Sequence, residues 1–486
     1  MALEPERRIA ELEAELAAKN ARTAEQDARI AQLEGRVEAL MRQVAELTER
    51  LGRHSGNSNQ PPSSDPPGVR GQRPGKGGKG KRRRGGQPGH RGSRRALVPP
   101  ERVDDVVDHY PDSCEHCTEA LPRTPDPQAK RYQYTELPAF EPHTTEYRRH
   151  CVGCPRCGGK TLAPYDAKAI PRSPFGPRLM AAIALVTGVY NLSRRRAVSL
   201  LSDLLGVRIS LGAVSEVEGR VSEAVVPMVE QACARVAKAA VKHTDGTSWF
   251  QAGVTLSLWT IATACATVFK IVKDGSAGTL KPLFGTLRGI LISDRATALN
   301  FWTMSQRQIC WAHLLRKFVS FSERDGPAGQ YGRELLEYSG ILFEYWSDYR
   351  DGTISRDVLR AWMAPLRQQC EALLERVVAA DLAGISGSCE DMLKHRAALW
   401  TFVDQGGVEP TNNHAERELR AFVLWRKRSF GTQSARGNRF AERLMTVAHT
   451  ARKQGKNVLE LLTECCVVHR DGGRYPSLFA DSPAAA

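Results

Sequence analysis

The sequence predicts a multidomain protein: an N-terminal coiled coil, a small zinc-binding domain, a helical region and an α/β domain with a helical insertion. Three observations predict it. Apolar residues recur at alternating three- and four-residue steps up to Leu51, five cysteines gather between Cys114 and Cys157, and β-branched runs interleave with helical segments beyond Val241. With 486 residues and 41% hydrophobic content, the chain has enough apolar material for at least one buried core.

The first element, residues 1–53, carries a heptad through Ile9, Leu12 and Leu16 and then Ile30, Leu33, Val37, Leu40, Val44, Leu47 and Leu51. Lys19 and Gln26 take core positions in its first half, which weakens pairing there and helps to fix register. A two-position stripe is too narrow to cover a globular core, so the expected partner is another copy, in a homodimer or higher oligomer. The competing reading is a lone amphipathic helix lying on the rest of the protein.

Residues 54–97 are rich in Gly, Pro, Lys and Arg and cannot build a packed core. No acidic residue falls between Gly68 and Arg95, and Lys81, Arg82, Arg83 and Arg84 form a continuous basic run. Such a strap suits DNA phosphates without reading base sequence, and the formal net charge of +15 fits the same polyanionic partner.

In residues 98–170, Cys114 and Cys117 form one CxxC knuckle and Cys154 and Cys157 a second. Four thiolates can hold one Zn²⁺ tetrahedrally, with no ligand position left for substrate, so the expected zinc is structural. Cys151 makes an overlapping CxxC with Cys154, and His116 and His150 are alternative ligands, but CPxCG at 154–158 is the better knuckle. Twelve cysteines in so long a chain are too few for a dense disulfide framework. No apolar run approaches the roughly 20 residues that span a bilayer, and the Glu-rich start lacks the pattern of a secretion signal. The expected location is the cytoplasm, with no membrane partner.

Residues 171–238 read as helical. One helix spans Arg178 to Val189, Ser193 caps a second that ends near Gly206, and Ser210 caps a third. The short turn between the last two resembles a helix-turn-helix, and Arg194, Arg195 and Arg196 offer DNA contacts.

Four strands follow, at Val241 to Thr244, Thr255 to Thr263, Thr267 to Val272 and Gly289 to Ser293. Asp245 closes the first and Asp294 the fourth, positions from which carboxylates converge on hard divalent cations. The third acid is Glu416, on a helix that starts near Thr411. Phosphodiester transfer by two metal ions, roughly 4 Å apart, asks for such a carboxylate set. His313 and Arg316, one turn apart, are expected at the scissile phosphate or a flanking strand. Asn412 and Asn413 orient the glutamate, contact DNA or cap the helix. Arg417, Arg420, Arg426, Lys427 and Arg428 are candidate phosphate contacts, Cys310 and Trp311 core residues, and Glu418 a surface charge.

Several motifs, in order, resemble the insertion-sequence-66 family of bacterial transposases: His54-Ser-Gly-Asn-Ser, Gly85-Gly-Gln-Pro-Gly-His90, the paired knuckles, His243-Thr-Asp-Gly-Thr-Ser-Trp249, Ser293-Asp-Arg295, Cys310-Trp-Ala-His-Leu-Leu-Arg316, Asn412-Asn-His-Ala-Glu-Arg417 and Arg426-Lys-Arg-Ser-Phe-Gly431. The resemblance implies an RNase H-like core with a DDE triad of Asp245, Asp294 and Glu416. The core would run over 239–318 and 406–462, around a helical insertion at 319–405 and before a tail at 463–486. It further implies two catalytic Mg²⁺ ions, 3′-end cleavage and strand transfer at terminal inverted repeats, target DNA, small accessory proteins of the same element, and a place at the bacterial nucleoid. Gly246 and Leu299 depart from the family, which commonly has an acidic residue and an aromatic there. The alternatives are a non-catalytic DNA-binding descendant and a structure-selective nuclease.

Overall fold

The computed structural model of the chain describes residues 3–51, 53–54, 56–57, 96–166, 170–171 and 173–479. Lys81, Arg82, Arg83 and Arg84 lie outside them. The chain falls into two compact units, one of residues 1–73, 171–193 and 214–486, the other of 74–170 and 194–213.

In chain order, α1 spans Leu3–Leu51, the hairpin strands β1 and β2 span Cys151–Gly153 and Lys160–Leu162, and α2 spans Pro177–Ala184 and runs into a π turn ending at Val189. Helices α3 (Arg194–Leu205), α4 (Leu211–Ala224) and α5 (Val226–Lys238) follow. As the sequence suggests, Ser210 Oγ accepts the Ala213 N–H at the start of α4, at 3.2 Å. Next come β3 (Val241–Gln251), β4 (Val254–Ala262), β5 (Thr267–Val272), α6 (Ala277–Phe284), β6 (Ile290–Ser293) and β7 (Arg307–Ile309). The remainder is helical: α7 (Trp311–Ser322), α8 (Gly326–Arg350), α9 (Arg356–Ala379), α10 (Ser386–Lys394), α11 (Arg396–Leu399), α12 (Thr401–Asp404), α13 (Asn413–Ser429), α14 (Ala435–Lys453) and α15 (Val458–Asp471).

Five strands form one mixed sheet in the order β5-β4-β3-β6-β7. β3, β4 and β5 are an antiparallel meander, whereas β6 runs parallel to β3 and β7 parallel to β6. The first strand is longer than its sequence signal: it does not close at Asp245 but continues to Gln251, because β4 pairs with it residue for residue up to Gln251 opposite Val254. Asp245 therefore sits in mid-strand, where β3 outruns the short β6.

Both edges of the sheet are closed by side chains. On β5, the N–H groups of Thr267 and Phe269 donate to Thr450 and Thr446 Oγ1 at 3.1 Å each, and that of Ile271 donates to Glu442 Oε1. Residues 442, 446 and 450 are spaced one helical turn apart on α14, about 6 Å of rise each, close to the roughly 6.7 Å covered by two strand residues. That match lets one helix satisfy alternate donors of an edge that would otherwise recruit another strand. On β7, Thr401 Oγ1 donates to Arg307 O at 2.6 Å, while buried Gln308 accepts the Phe402 N–H at 2.8 Å and donates to Leu399 O at 3.0 Å.

Helices α7 to α12 pack as an apolar cluster beside β6 and β7, with Trp311 and Trp400 edge to face at 5.0 Å. Cys310 and Trp311 are buried there, as expected. Against β3 and β5, α13 and α14 bury Trp249, whose ring meets Phe422 edge to face at 5.4 Å and whose Nε1 donates to Asn438 Oδ1 at 3.1 Å. Upstream, Asn57 docks on the end of α7: its Nδ2 donates to Glu323 Oε2 at 2.9 Å. Among the described residues no helix is long and apolar enough to cross a membrane.

Candidate active site

The parallel pairing of β3 with β6 aligns His243 with Ile292, so Asp245 and Asp294, two residues further along each chain, stand at the same level of adjacent strands. Asp294 lies in the turn after β6, and that turn is held by Arg307. Its fully buried guanidinium donates to Ser293 Oγ at 3.1 Å, Asp294 O at 2.9 Å and Asn300 Oδ1 at 3.0 Å. Burial lowers its pKa to about 10, which leaves it charged at neutral pH. Arg295 adds an ion pair to Asp391 on α10 at 2.6 Å.

Glu416 arrives on the first turn of α13, where the helix dipole favours a carboxylate. The helix start is fastened by Asn412, which is 0% exposed. Its Nδ2 donates to Thr244 O at 2.7 Å, its backbone N–H to Cys310 Sγ at 3.1 Å, and its Oδ1 faces His243 Nδ1 at 3.3 Å. Because the amide nitrogen is committed to a carbonyl, Oδ1 is the acceptor and the His243 ring carries its proton on Nδ1. That ring is neutral: burial first, then the charge of His414, whose ring stacks on it at 5.0 Å, brings its pKa to about 4. Of the roles expected for Asn412, orienting the glutamate agrees with these bonds, whereas capping by its side chain does not. Both ends of its side chain are consumed in tying α13 to β3, and it makes no side-chain cap bond.

Two of the carboxylates act on the third. Burial first, then the charges of Asp294 and Glu416, push Asp245 up to about 8, against the opposing effects of the Gly246 N–H and Arg316. From α7, His313 Nδ1 stands 3.7 Å from Glu416 Oε1 and Arg316 3.5 Å from Glu416 Oε2. His313 Nδ1 and Glu416 Oε1 are buried and without hydrogen bonds. Burial, then Arg316, depresses the His313 pKa, so the ring is neutral. Ligand atoms of Cys310, His313 and Glu416 lie within 4.8 Å of one another, the one group of three or more such residues among those described. His313 and Arg316 thus point at the third acid.

Four further expectations meet a definite geometry. Glu418 is no surface charge: it is largely buried, bonded to His449 Nδ1 and paired with Lys453 Nζ at 2.9 Å. Burial works against its charge, yet these partners outweigh it and bring the carboxyl down to about 2. Arg426 Nη1 donates to Thr247 Oγ1 at 3.1 Å and Ser248 Oγ at 2.6 Å, which bends it towards β3. Asn413, Arg417, Arg420, Lys427 and Arg428 remain exposed on α13, as a phosphate-facing surface would be. Gly246 faces Trp259 across the β3–β4 pair, and a Cβ there would lie 2.8 Å from the indole ring, so Trp259 occupies the room that a side chain at this position would need.

In the second unit each CxxC turn is formed. The Thr118 and Gly158 N–H groups donate to Cys114 O and Cys154 O at 2.9 and 2.8 Å, and the turns' own N–H groups lower the Cys114 and Cys154 pKa values. No three of the four expected zinc thiols come within 4.8 Å of one another. Cys151 is on β1, opposite Leu162.

Sequence reading missed Arg307, His243, Trp259 and the Glu418–His449–Lys453 cluster. A charged residue amid the short apolar strand Arg307–Ile309 was a readable signal for the first. The partners of the others are distant in sequence.

The family model described as Transposase IS66 family matches residues 172–439, more than half of the chain and all three carboxylates. A second, described as a family of unknown function (DUF6444), matches residues 8–96. No curated protein matches the chain significantly.

Two outcomes are expected. The Asp245 pKa is raised in the folded chain, so the stability that its protonated form contributes is full below about pH 4 and is lost as pH rises towards about 8. Without divalent metal, Asp245→Asn should raise the melting temperature relative to wild type at pH 8, by roughly 2–4 °C per kcal/mol recovered, and much less at pH 4. Mg²⁺ or Mn²⁺ should then raise melting in wild type only; a metal response equal in both proteins would contradict the site. Asn412→Ala strips partners from buried groups at about 1–3 kcal/mol each. Its urea midpoint should fall, and hydrogen exchange should speed up in the first turn of α13 but not in α14.

Proposed function

Because the chain belongs to the transposase IS66 family, we propose that it is a DDE-type enzyme that cuts the 3′ ends of an insertion sequence and joins them to target DNA. The observation that carries this reading is the electrostatic influence of Asp294 and Glu416 on Asp245, with Asp245 and Asp294 at one level of paired chains and Glu416 on the first turn of α13. A five-stranded mixed sheet with the first two acids on its central parallel pair supports an RNase H-like core.

The residues fit divalent cations. Burial and two neighbouring acids raise the Asp245 pKa to about 8, and Glu416 Oε1 is buried with no hydrogen-bond partner. Asp245, Asp294 and Glu416 would hold two Mg²⁺ ions, which when bound supply activation of the attacking oxygen and stabilisation of the leaving one. The chain's own groups do the rest. Arg307 keeps the Asp294 turn rigid, Asn412 keeps Glu416 at the sheet, and Arg316 supplies a fixed positive charge beside the acids where a phosphate would enter. The exposed face of α13, from Asn413 to Arg428, would run along the DNA backbone, together with the basic run at 81–84.

The CxxC turns would bind one structural zinc through Cys114, Cys117, Cys154 and Cys157. Helix α1 would pair two copies, and accessory proteins of the same element would join the assembly at the bacterial nucleoid.

Two measurements test this reading. Purified protein with Mg²⁺ and the element's own ends should yield joined product, and Glu416→Ala should lose it while still retarding the same DNA; joining at wild-type level by the variant would remove Glu416 from the triad, and binding without product in wild type would favour the non-catalytic descendant. Elemental analysis should find one zinc per chain, and none in Cys114→Ser; a zinc-free wild type would leave the knuckles as bare turns.

A further inference from the structure

Helix α1 leaves the apolar positions of its heptad between 45 and 88% exposed over Ile9 to Leu51. We propose that this stripe is one half of a parallel, in-register, two-stranded coiled coil whose other half is a second copy of this chain. The inference deepens the pairing put forward above and rests on it, but not on the catalysis. Three independent features of the helix converge on it.

The first is residue shape. Counting Ile9 as position a, the second half of the helix places β-branched Ile30, Val37 and Val44 at a and leucine at each d, at 33, 40 and 47. That distribution packs best in two parallel strands rather than three or four.

The second is the position of the polar layers. Lys19, Thr23 and Gln26 occupy three successive core layers towards the N-terminal end of the helix. A parallel, unshifted pair stacks each of them on itself and leaves every apolar layer facing an apolar layer. An antiparallel pair either sets them against Val37, Leu33 and Ile30 or, shifted to match them, leaves the apolar C-terminal heptads unpaired. Burying a polar side chain against an apolar one costs more than stacking it on its like, so only the parallel register avoids both penalties.

The third is charge. The residues flanking the seam on the g side include Arg8, Arg22 and Arg29, and those on the e side include Glu13, Asp27 and Glu34. In a parallel dimer each g residue meets the e residue five positions on in its partner: Arg8 meets Glu13, Arg22 meets Asp27 and Arg29 meets Glu34. None of the g–e′ pairs from 8 to 48 is repulsive. In an antiparallel dimer g meets g and e meets e, so arginines oppose arginines and acids oppose acids.

The direction has a functional consequence. In a parallel coil both chains leave at the Leu51 end, and Asn57, only six residues on, is already docked on Glu323 of the catalytic unit. Six residues reach about 20 Å at most. Two catalytic units are thereby held at one end of the coil, the arrangement needed to bring two DNA ends together.

The test uses full-length protein without DNA, in sedimentation equilibrium and native mass spectrometry. Wild type should be a dimer. Arg22→Glu/Arg29→Glu and Asp27→Arg/Glu34→Arg should each self-associate at least about tenfold more weakly, since favourable pairs of a few tenths of a kcal/mol apiece turn repulsive on both sides of the seam. Mixed, the two variants should form a heterodimer as tight as wild type, which also shows that both still fold. If each variant instead pairs best with wild type, the coil is antiparallel and the proposal falls; a trimer or a concentration-independent monomer also overturns it. A dimer that behaves as described but joins no DNA ends leaves this inference standing and counts against the catalytic reading alone.

Discussion

One buried amide holds the candidate site together. Asn412 belongs to α13 by sequence but to β3 by bonding, since its side chain meets both Thr244 and His243, the two residues that precede Asp245. The third carboxylate is thereby tied to the strand that carries the first. Its backbone N–H adds Cys310 Sγ, and the Trp311 N–H donates to Pro410 O at 2.9 Å, so the start of α7 joins the same knot. An amide suits this place because it offers a donor and an acceptor without adding charge to a site already crowded with carboxylates.

Electrostatics explains the rest of the surroundings. Asp245 is buried close to two other acids, and burial first, then their charges, raise its pKa. The fold opposes these charges with groups whose charge does not depend on ordinary pH: the α13 dipole, Arg316, and Arg307 beneath the Asp294 turn. The histidines nearest the acids, His243 and His313, are kept neutral by burial, so that they add bonds and shape but no charge. Glu418 is satisfied separately by His449 and Lys453, which keeps a fourth acid from adding to the same repulsion.

The sheet needs both helical layers. α14 satisfies the outer donors of β5, and α11 and α12 close β7, so the central strands are fixed without any partner chain. Trp259 is seated over Gly246, so volume that a side chain on β3 would take is supplied by its neighbour on β4.

The sequence by itself carried the heptad, the two knuckles and the four strands between Val241 and Ser293, because each is a local pattern of period, spacing or composition, and its resemblance to a family singled out three acids as candidates. It could not reveal that β3 runs on past Asp245, since strand length was decided by the pairing with β4 rather than by the residues of β3. Nor could it reveal that Asn412 is a buried tie or Glu418 a buried ion. Their partners lie 168 and 31 residues away, and only folding brings such groups within reach of a hydrogen bond. Local chemistry chose the residues, and long-range packing chose what each of them touches.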